Sequence, residues 1–463
     1  MSAWARPPAG PGTMRASVTT AEPRRRGGLR RVARESGVVA WLTVYLVLLF
    51  GIPSRLVLGP LGSAGAPSMV FGMLSALVWF LAQLWRSSGA QSPHRPMRVM
   101  FGLFAASVGV SYVVAMARPI DGDEVSPADV ALIALIAWAG VFLMSHDGLD
   151  DLRSVNRLLH RFVLAGGLMA SVGLAQYVTR DVLIDRIAIP GLTAWTGVDS
   201  FFRNGLVRPS GTATHPIEFG ALLTILLPLA LQTALHPGRA WVFRRWFPAV
   251  AIALALALSL SRSAYVGLAL AIVVLLAGWP RETRWRLGSI AVLGTAGLAL
   301  TVPGLFRSIR GMFVAVPDDP SITSRTGSYD VAWHFIELAP WFGRGLGTFL
   351  PKYRIFDNTY LGLLVSGGVI GTIAFCAIPA IAIVLLLRAR RRWPDERSRA
   401  LALALVAGIA AGSLALAFFD GFGFPMTMGT YFLTLGIAGA ALRAHPGGRQ
   451  PEPDPVLALQ RPR

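Results

Sequence analysis

The sequence is poor in charge, in lysine and in cysteine. Only 14% of its 463 residues are Asp, Glu, Lys or Arg, against about a quarter in a soluble domain. That is too little polar surface for an ordinary water-facing globule. A single cysteine, Cys376, sits inside an apolar stretch; neither an intrachain disulfide nor a cysteine-built metal site is available. Lys352 is the one lysine among 43 basic residues, and the bias towards arginine is read as genome base composition. No His, Asp or Glu cluster has metal-ligand spacing, and no glycine-rich phosphate loop follows a strand, which argues against an ATPase.

What the chain has in excess is apolar sequence, at 54% hydrophobic residues. The runs are roughly 20 residues long, the length that crosses a bilayer as a helix. They are continuous rather than alternating, which selects helices over a barrel. The segments lie near 38–57, 66–85, 99–117, 128–145, 161–178, 216–235, 246–261, 263–280, 287–304, 358–387, 400–419 and 424–442. The fold expected is all-α, a polytopic transmembrane bundle of about twelve helices over residues 38–442. Gly367-Gly368 is placed to break the long segment that starts at Asn358.

The net charge of +19 raises a nucleic-acid reading, but most of the arginines flank apolar segments, as topology signals do. With the N-terminus in the cytoplasm, most Lys and Arg fall on the inner side, as the positive-inside rule asks, and both ends are cytoplasmic. Residues 1–37 are polar and rich in Pro and Arg, without a cleavable hydrophobic region; they read as a disordered cytoplasmic tail. Residues 443–463 read as a second cytoplasmic tail. Two outer connections, near 180–215 and 304–357, are too long to be mere links. The functional face is therefore expected outside. A short outer loop, 118–127, is acidic, with Asp121, Asp123 and Glu124.

The outer face also holds arginines: Arg203, Arg208, Arg262, Arg307, Arg310, Arg325, Arg344 and Arg354, beside Lys352. Arginine there runs against the topology preference. An anionic partner such as a phosphate or pyrophosphate headgroup would favour it, because the guanidinium fork binds such oxygens bidentately; pairing with lipid phosphates is the bland reading for Arg307, Arg310 and Arg354. Arg262, in Leu258-Ser259-Leu260-Ser261-Arg262-Ser263-Ala264, is costly at a membrane boundary unless paired or facing water. Snorkelling is its alternative. Arg325 precedes a helix expected over Tyr329–Leu338 that could lie on the membrane surface, with His334 on it. Pro340 ends that helix before a glycine loop holding Arg344. Asp357 either caps the following helix or serves as a general base. Arg208, His215 and Glu218 lead into the helix at 216–235, where an ionisable residue is a functional candidate. Asp420 is a further outer-face candidate.

In order and spacing these elements resemble the O-antigen ligase and polymerase superfamily of bacterial membrane proteins. The match comprises Arg208-Pro209-Ser210-Gly211 with His215-Pro216; the Leu-Ser-Leu-Ser-Arg262 turn; Arg325 with Trp333 and Pro340; Phe342 to Phe349; and Asp357-Asn358-Thr359-Tyr360-Leu361 leading to Gly367-Gly368. It covers residues 200–375. The resemblance implies a GT-C-like glycosyltransferase of the plasma (inner) membrane that needs no metal or other cofactor and acts in cell wall and surface-polysaccharide biogenesis. Its partners would be a polyprenyl-pyrophosphate-linked glycan donor, a glycan acceptor and the lipid bilayer, with no nucleic acid. Arg262 and Arg325 would hold the pyrophosphate, Asp357 would act as base, and Arg208, His215, Glu218, His334, Arg344 and Asn358 would bind substrate. One departure stands out: ligases of this family usually carry histidine where this chain has Asp357. A polytopic transporter or flippase of lipid-linked saccharide is the alternative reading.

Overall fold

The computed structural model of the protein describes residues 23–85, 95–195, 202–203, 206–236, 241–314 and 320–445; the side chains of 23–36, 203, 314 and 320–326 lie outside that description. Fourteen helices run in chain order. They are α1 (Pro23–Gly51), α2 (Pro67–Leu84), α3 (Pro96–Ala117), α4 (Gly122–Gly148), α5 (Leu152–Thr179), α6 (Pro216–Leu235), α7 (Val242–Leu258) and α8 (Arg262–Gly278), followed by α9 (Arg281–Thr301), α10 (Leu305–Val314), α11 (Pro320–Leu338), α12 (Thr359–Arg392), α13 (Glu396–Ala415) and α14 (Pro425–Ala444). The twelve helices other than α10 and α11 each contain most of one apolar segment of the sequence. Among the described residues eight helices are long and apolar enough to cross a membrane, or nine if the pair α9 and α10, bent by 107°, is counted as one span. Of the tails expected at the ends, residues 1–22 and 446–463 lie outside the described residues, and α1 takes in residues 23–37.

Only two short antiparallel ladders break the helical pattern among the described residues. Leu56–Val57 pairs with Thr193–Ala194, and Phe202–Arg203 with Leu206–Val207. The first pins the long connection after α5 to the turn after α1. Arg55 strengthens the same joint through an ion pair to Asp185 and a hydrogen bond to the Ile184 carbonyl.

The core runs through α4, α6, α13 and α14. α14 is buried over nearly its whole length, as is α6. Trp138, Tyr431, Phe432, Phe142 and Phe219 are fully buried there. A helix apolar on every side and buried on every side belongs at the centre of a bundle.

α12 does break at the glycine pair, where Gly368 has φ 64° and ψ −172°. A break inside an apolar bundle exposes backbone groups that lipid cannot satisfy. The glycine turn after α11 satisfies them. The Arg344 and Gly345 amides donate to the Val365 and Ser366 carbonyls, at 3.0 and 2.8 Å, and the Val369 and Ile370 amides donate to Pro340 and Trp341, at 2.9 and 3.2 Å. Ser111 on α3 donates to the Ser366 carbonyl as well, at 2.8 Å. The two backbones touch, so an added Cβ on Gly343 would meet Ser366 at 2.4 Å and one on Gly368 would meet Trp341 at 2.4 Å.

A second joint ties α6 to α14. Glu218, fully buried, accepts hydrogen bonds from the Thr214, Met426 and Thr427 amides at 2.8, 3.1 and 3.2 Å. One carboxylate thus satisfies amides at the starts of two central helices, an acceptor placed where their dipoles favour negative charge.

Two outcomes are expected of thermal unfolding in detergent. Gly368→Ala should cost about 2 kcal/mol or more, from the positive φ and the backbone clash together, whereas Gly362→Ala, on an open part of the same helix, should be close to neutral. Glu218→Ala should cost about 3 kcal/mol by leaving buried amides unpaired, with Glu218→Gln between it and the unaltered chain.

Candidate functional site

The starts of α6, α8, α12 and α14 gather at one end of the bundle, where the two long connections also lie. Contacts across that end show it: a Cβ on Gly220 of α6 would sit 2.8 Å from Ala264 of α8, Glu218 joins α6 to α14, and Thr359 of α12 bonds the turn before α14. Positive helix ends therefore converge with the arginines, and an anion is favoured there.

The α7–α8 turn is strained. Leu260 has φ 48° and is fully buried. A side chain with a Cβ rarely adopts this conformation, and the cost is about 1–2 kcal/mol. Buried packing holds it: Leu260 and Leu258 lie against Leu305 and Met312 of α10. Arg262 is the first residue of α8, directly after this turn, and is partly exposed. The strained turn thus fixes where its side chain leaves the backbone.

A cleft of about 140 Å³ lies between α11, the start of α12 and the end of α13. Its walls include Ser328, Tyr329, Asp357, Asn358 and Phe418. Asn358, rather than Asp357, caps α12: its side chain accepts from the Tyr360 and Leu361 amides at 3.0 and 3.2 Å. Of the two roles open to Asp357, capping is taken by its neighbour, and Asp357 lines the cleft. Arg325 lies on α11 one turn before Ser328 and Tyr329; its side chain lies outside the described residues. α8 packs against the Leu416–Phe418 turn, whose Phe418 lines the same cleft, so the helix that begins with Arg262 adjoins it.

The remaining candidates have other surroundings. His215 caps α6, its Nδ1 accepting from the Ile217 amide at 3.1 Å. Glu218 is the buried clamp already described. Arg208 is buried at the head of a turn held by Gln176, which accepts from the Ser210 and Gly211 amides and donates to the Gly211 carbonyl. His334 is exposed on α11 and is not among the residues lining the cleft. Arg344 pairs with Glu124 at 3.3 Å and lies over the Phe335 ring at 4.6 Å.

Glu124 is the hub of a network that joins the start of α4 to the loop after α11. It also accepts from Arg118 at 2.7 Å and from the Tyr353 hydroxyl at 2.7 Å. Lys352 pairs with Asp123 at 2.6 Å, and that hydrogen bond holds its ammonium above the usual lysine range. The bond to Glu124 likewise pushes the Tyr353 phenol up. The acidic first turn of α4 is thus the counter-charge for the loop after α11.

Asp420 is where sequence reasoning had least to offer. It caps the 3-10 turn before α14, accepting from the Phe422 amide at 3.2 Å. It is open to solvent, yet the chain packed around it, and then the charge of Asp357, push its carboxyl up to about 6. Solvent screening limits what that shift is worth to stability. Only the approach of two distant loops creates the pair, so no local pattern signals it.

Residues 247–376 match the family model for O-antigen ligase. No curated protein matches the chain. The matched stretch runs from α7 into α12 and contains Arg262, Arg325, Asp357 and the glycine turn, while Arg208, His215, Glu218 and Asp420 lie outside it. Residues 247–376 thus carry a stretch similar to O-antigen ligase, and together with the run of apolar helices that similarity supports a membrane protein of surface-polysaccharide biosynthesis.

Proposed function

We propose that the protein is a glycosyltransferase that joins a polyprenyl-pyrophosphate-linked glycan to an acceptor sugar hydroxyl at the outer face of the plasma membrane. All twelve apolar helices cross the bilayer in this reading, with both termini cytoplasmic and the Asp357 cleft facing out. The observation that carries it is the cleft itself. Asp357, whose neighbour Asn358 does the capping, lines it beside the start of α12, and the matched stretch supplies six of its walls, from Ser328 to Leu361.

The chemistry follows from the charges. Transfer builds negative charge on the pyrophosphate as its bond to the anomeric carbon breaks. Arg262 and Arg325, with the positive helix ends, stabilise that charge, the largest contribution expected in such a reaction. The acceptor hydroxyl attacks from the opposite face, which inverts the anomeric centre. Asp357 receives the hydroxyl proton, taking the place that histidine usually holds in ligases of the family. Arginines replace a metal as the charge-stabilising groups. Arg344 and Asn358 shape the site, Arg344 through Glu124 and Phe335, and Asn358 by fixing the start of α12 beside Asp357. Arg208, His215 and Glu218 contribute to substrate binding at the α6 end, which Glu218 ties to α14 and His215 caps.

Arg262→Ala and Arg325→Ala should each abolish polymer in cells while the protein still accumulates in the membrane; polymer at the unaltered level in both would contradict the assignment. In purified form, Asp357→Asn should slow transfer at least about 100-fold, the contribution of a positioned base. Excess chelator should leave the unaltered protein's rate unchanged.

A further inference from the structure

Thr359, two residues after Asp357, makes a pair of hydrogen bonds that bracket Asp420. Its hydroxyl donates to the Phe419 carbonyl at 2.7 Å and accepts from the Gly421 amide at 2.7 Å. Thr359 is buried, so these bonds are shielded from water. Gly421 packs so closely that a Cβ there would meet the Leu416 side chain at 2.3 Å and the Thr359 hydroxyl at 3.1 Å. The start of α12 and the turn before α14 are therefore one rigid unit with a carboxylate on each strand of it. Ala417 and Phe418 carry the wall of the cleft from Asp357 towards Asp420.

We propose that Asp420 is the positioning partner of Asp357, so that the acceptor's proton is received by a pair of carboxylates instead of a single base. The inference rests on the reading of the cleft as the site of glycan transfer. As the acceptor oxygen bonds to the anomeric carbon, the carbon–oxygen bond to the pyrophosphate breaks and its electron pair leaves on the pyrophosphate oxygen. The hydroxyl proton passes to Asp357. The nearby Asp420 charge keeps that proton in the pair until water carries it away, since two carboxylates in one site bind a proton jointly. A lone aspartate is a weaker base than the histidine it replaces, and a second carboxylate compensates for this.

Other ionisable groups on the elements around this turn are His215 and Glu218 at the start of α6, Arg262 at the start of α8, and Tyr360 and Tyr431 within α12 and α14. Glu218 is occupied by the Met426 and Thr427 amides, and the His215 ring lies 6.1 Å from that of Phe424. Asp357 is the charge that acts on Asp420.

Asp420→Asn separates charge from structure, because asparagine can keep the cap on the Phe422 amide. Transfer rates of the purified protein, with host lipid-linked glycan as donor, should be followed against pH for the unaltered chain, Asp420→Asn and Asp420→Glu. Expected are an acid limb near pH 6 in the unaltered chain, a rate at least tenfold lower with a displaced limb in Asp420→Asn, and partial recovery in Asp420→Glu. An unaltered pH profile and rate in Asp420→Asn would overturn the proposal. Infrared difference titration tests the pairing without any turnover. The Asp420 band, identified by its loss in Asp420→Asn, should titrate at lower pH once Asp357→Asn removes the neighbouring charge. An unmoved midpoint would overturn the pairing; a moved midpoint in a protein that transfers no glycan would leave the pair standing and defeat the transferase reading.

Discussion

A broken helix in an apolar bundle must find partners for the backbone groups it frees, and here that requirement organises the end of the bundle where the long connections lie. The α12 break at Gly368 leaves amides and carbonyls that lipid cannot supply with partners, and of the neighbouring helices α3 contributes the Ser111 hydroxyl. The Pro340–Gly345 turn answers them through four backbone hydrogen bonds, an approach that only glycine permits at Gly343 and Gly368. With the turn fixed, Arg344 is fixed, and through Arg344 the loop between α3 and α4 is drawn in by Glu124. The first half of α12 in turn sets Asn358 as cap and Asp357 in the cleft.

Charge at this end is arranged in two layers. Glu124 and Glu218 are buried carboxylates with every partner in place, Glu124 holding arginines and Glu218 holding amides. They build the frame. Asp357 stands at the cleft instead, and Asp420 in the turn that follows the Ala417–Phe418 wall, against which α8 packs. The strained Leu260 belongs with them: backbone strain of this kind persists only where its surroundings hold it, and such positions cluster at functional sites.

Much of the frame was legible in the sequence. Each apolar segment became a helix, because segment length and continuity are local properties. The α12 break could be read from Gly367-Gly368 alone. The sharp bend between α9 and α10 could not, since α10 turns across the bundle to cover Leu260, and a partner distant in sequence decides that. For the same reason the acidic loop read only as a topology signal, although Lys352, Tyr353 and Arg344 were in plain view as its partners. Asp357 was singled out from the sequence and lines the cleft, but whether it or Asn358 caps α12 depended on backbone geometry that both residue types suit equally. Glu218 and Asp420 take their character from α14 and α12 respectively, contacts of 208 residues in the first case.

The claim on which the rest depends is that this chain itself transfers glycan from a lipid pyrophosphate. The most direct measurement is mass spectrometry of the products formed by the purified protein in detergent with a lipid-linked glycan pool from the host, without nucleotide and with excess chelator. Longer lipid-linked glycans, or glycan moved onto a different acceptor, are the expected result. An unchanged pool, with the protein folded and the donor shown to be present, would contradict the claim and favour movement of the lipid-linked saccharide across the membrane instead.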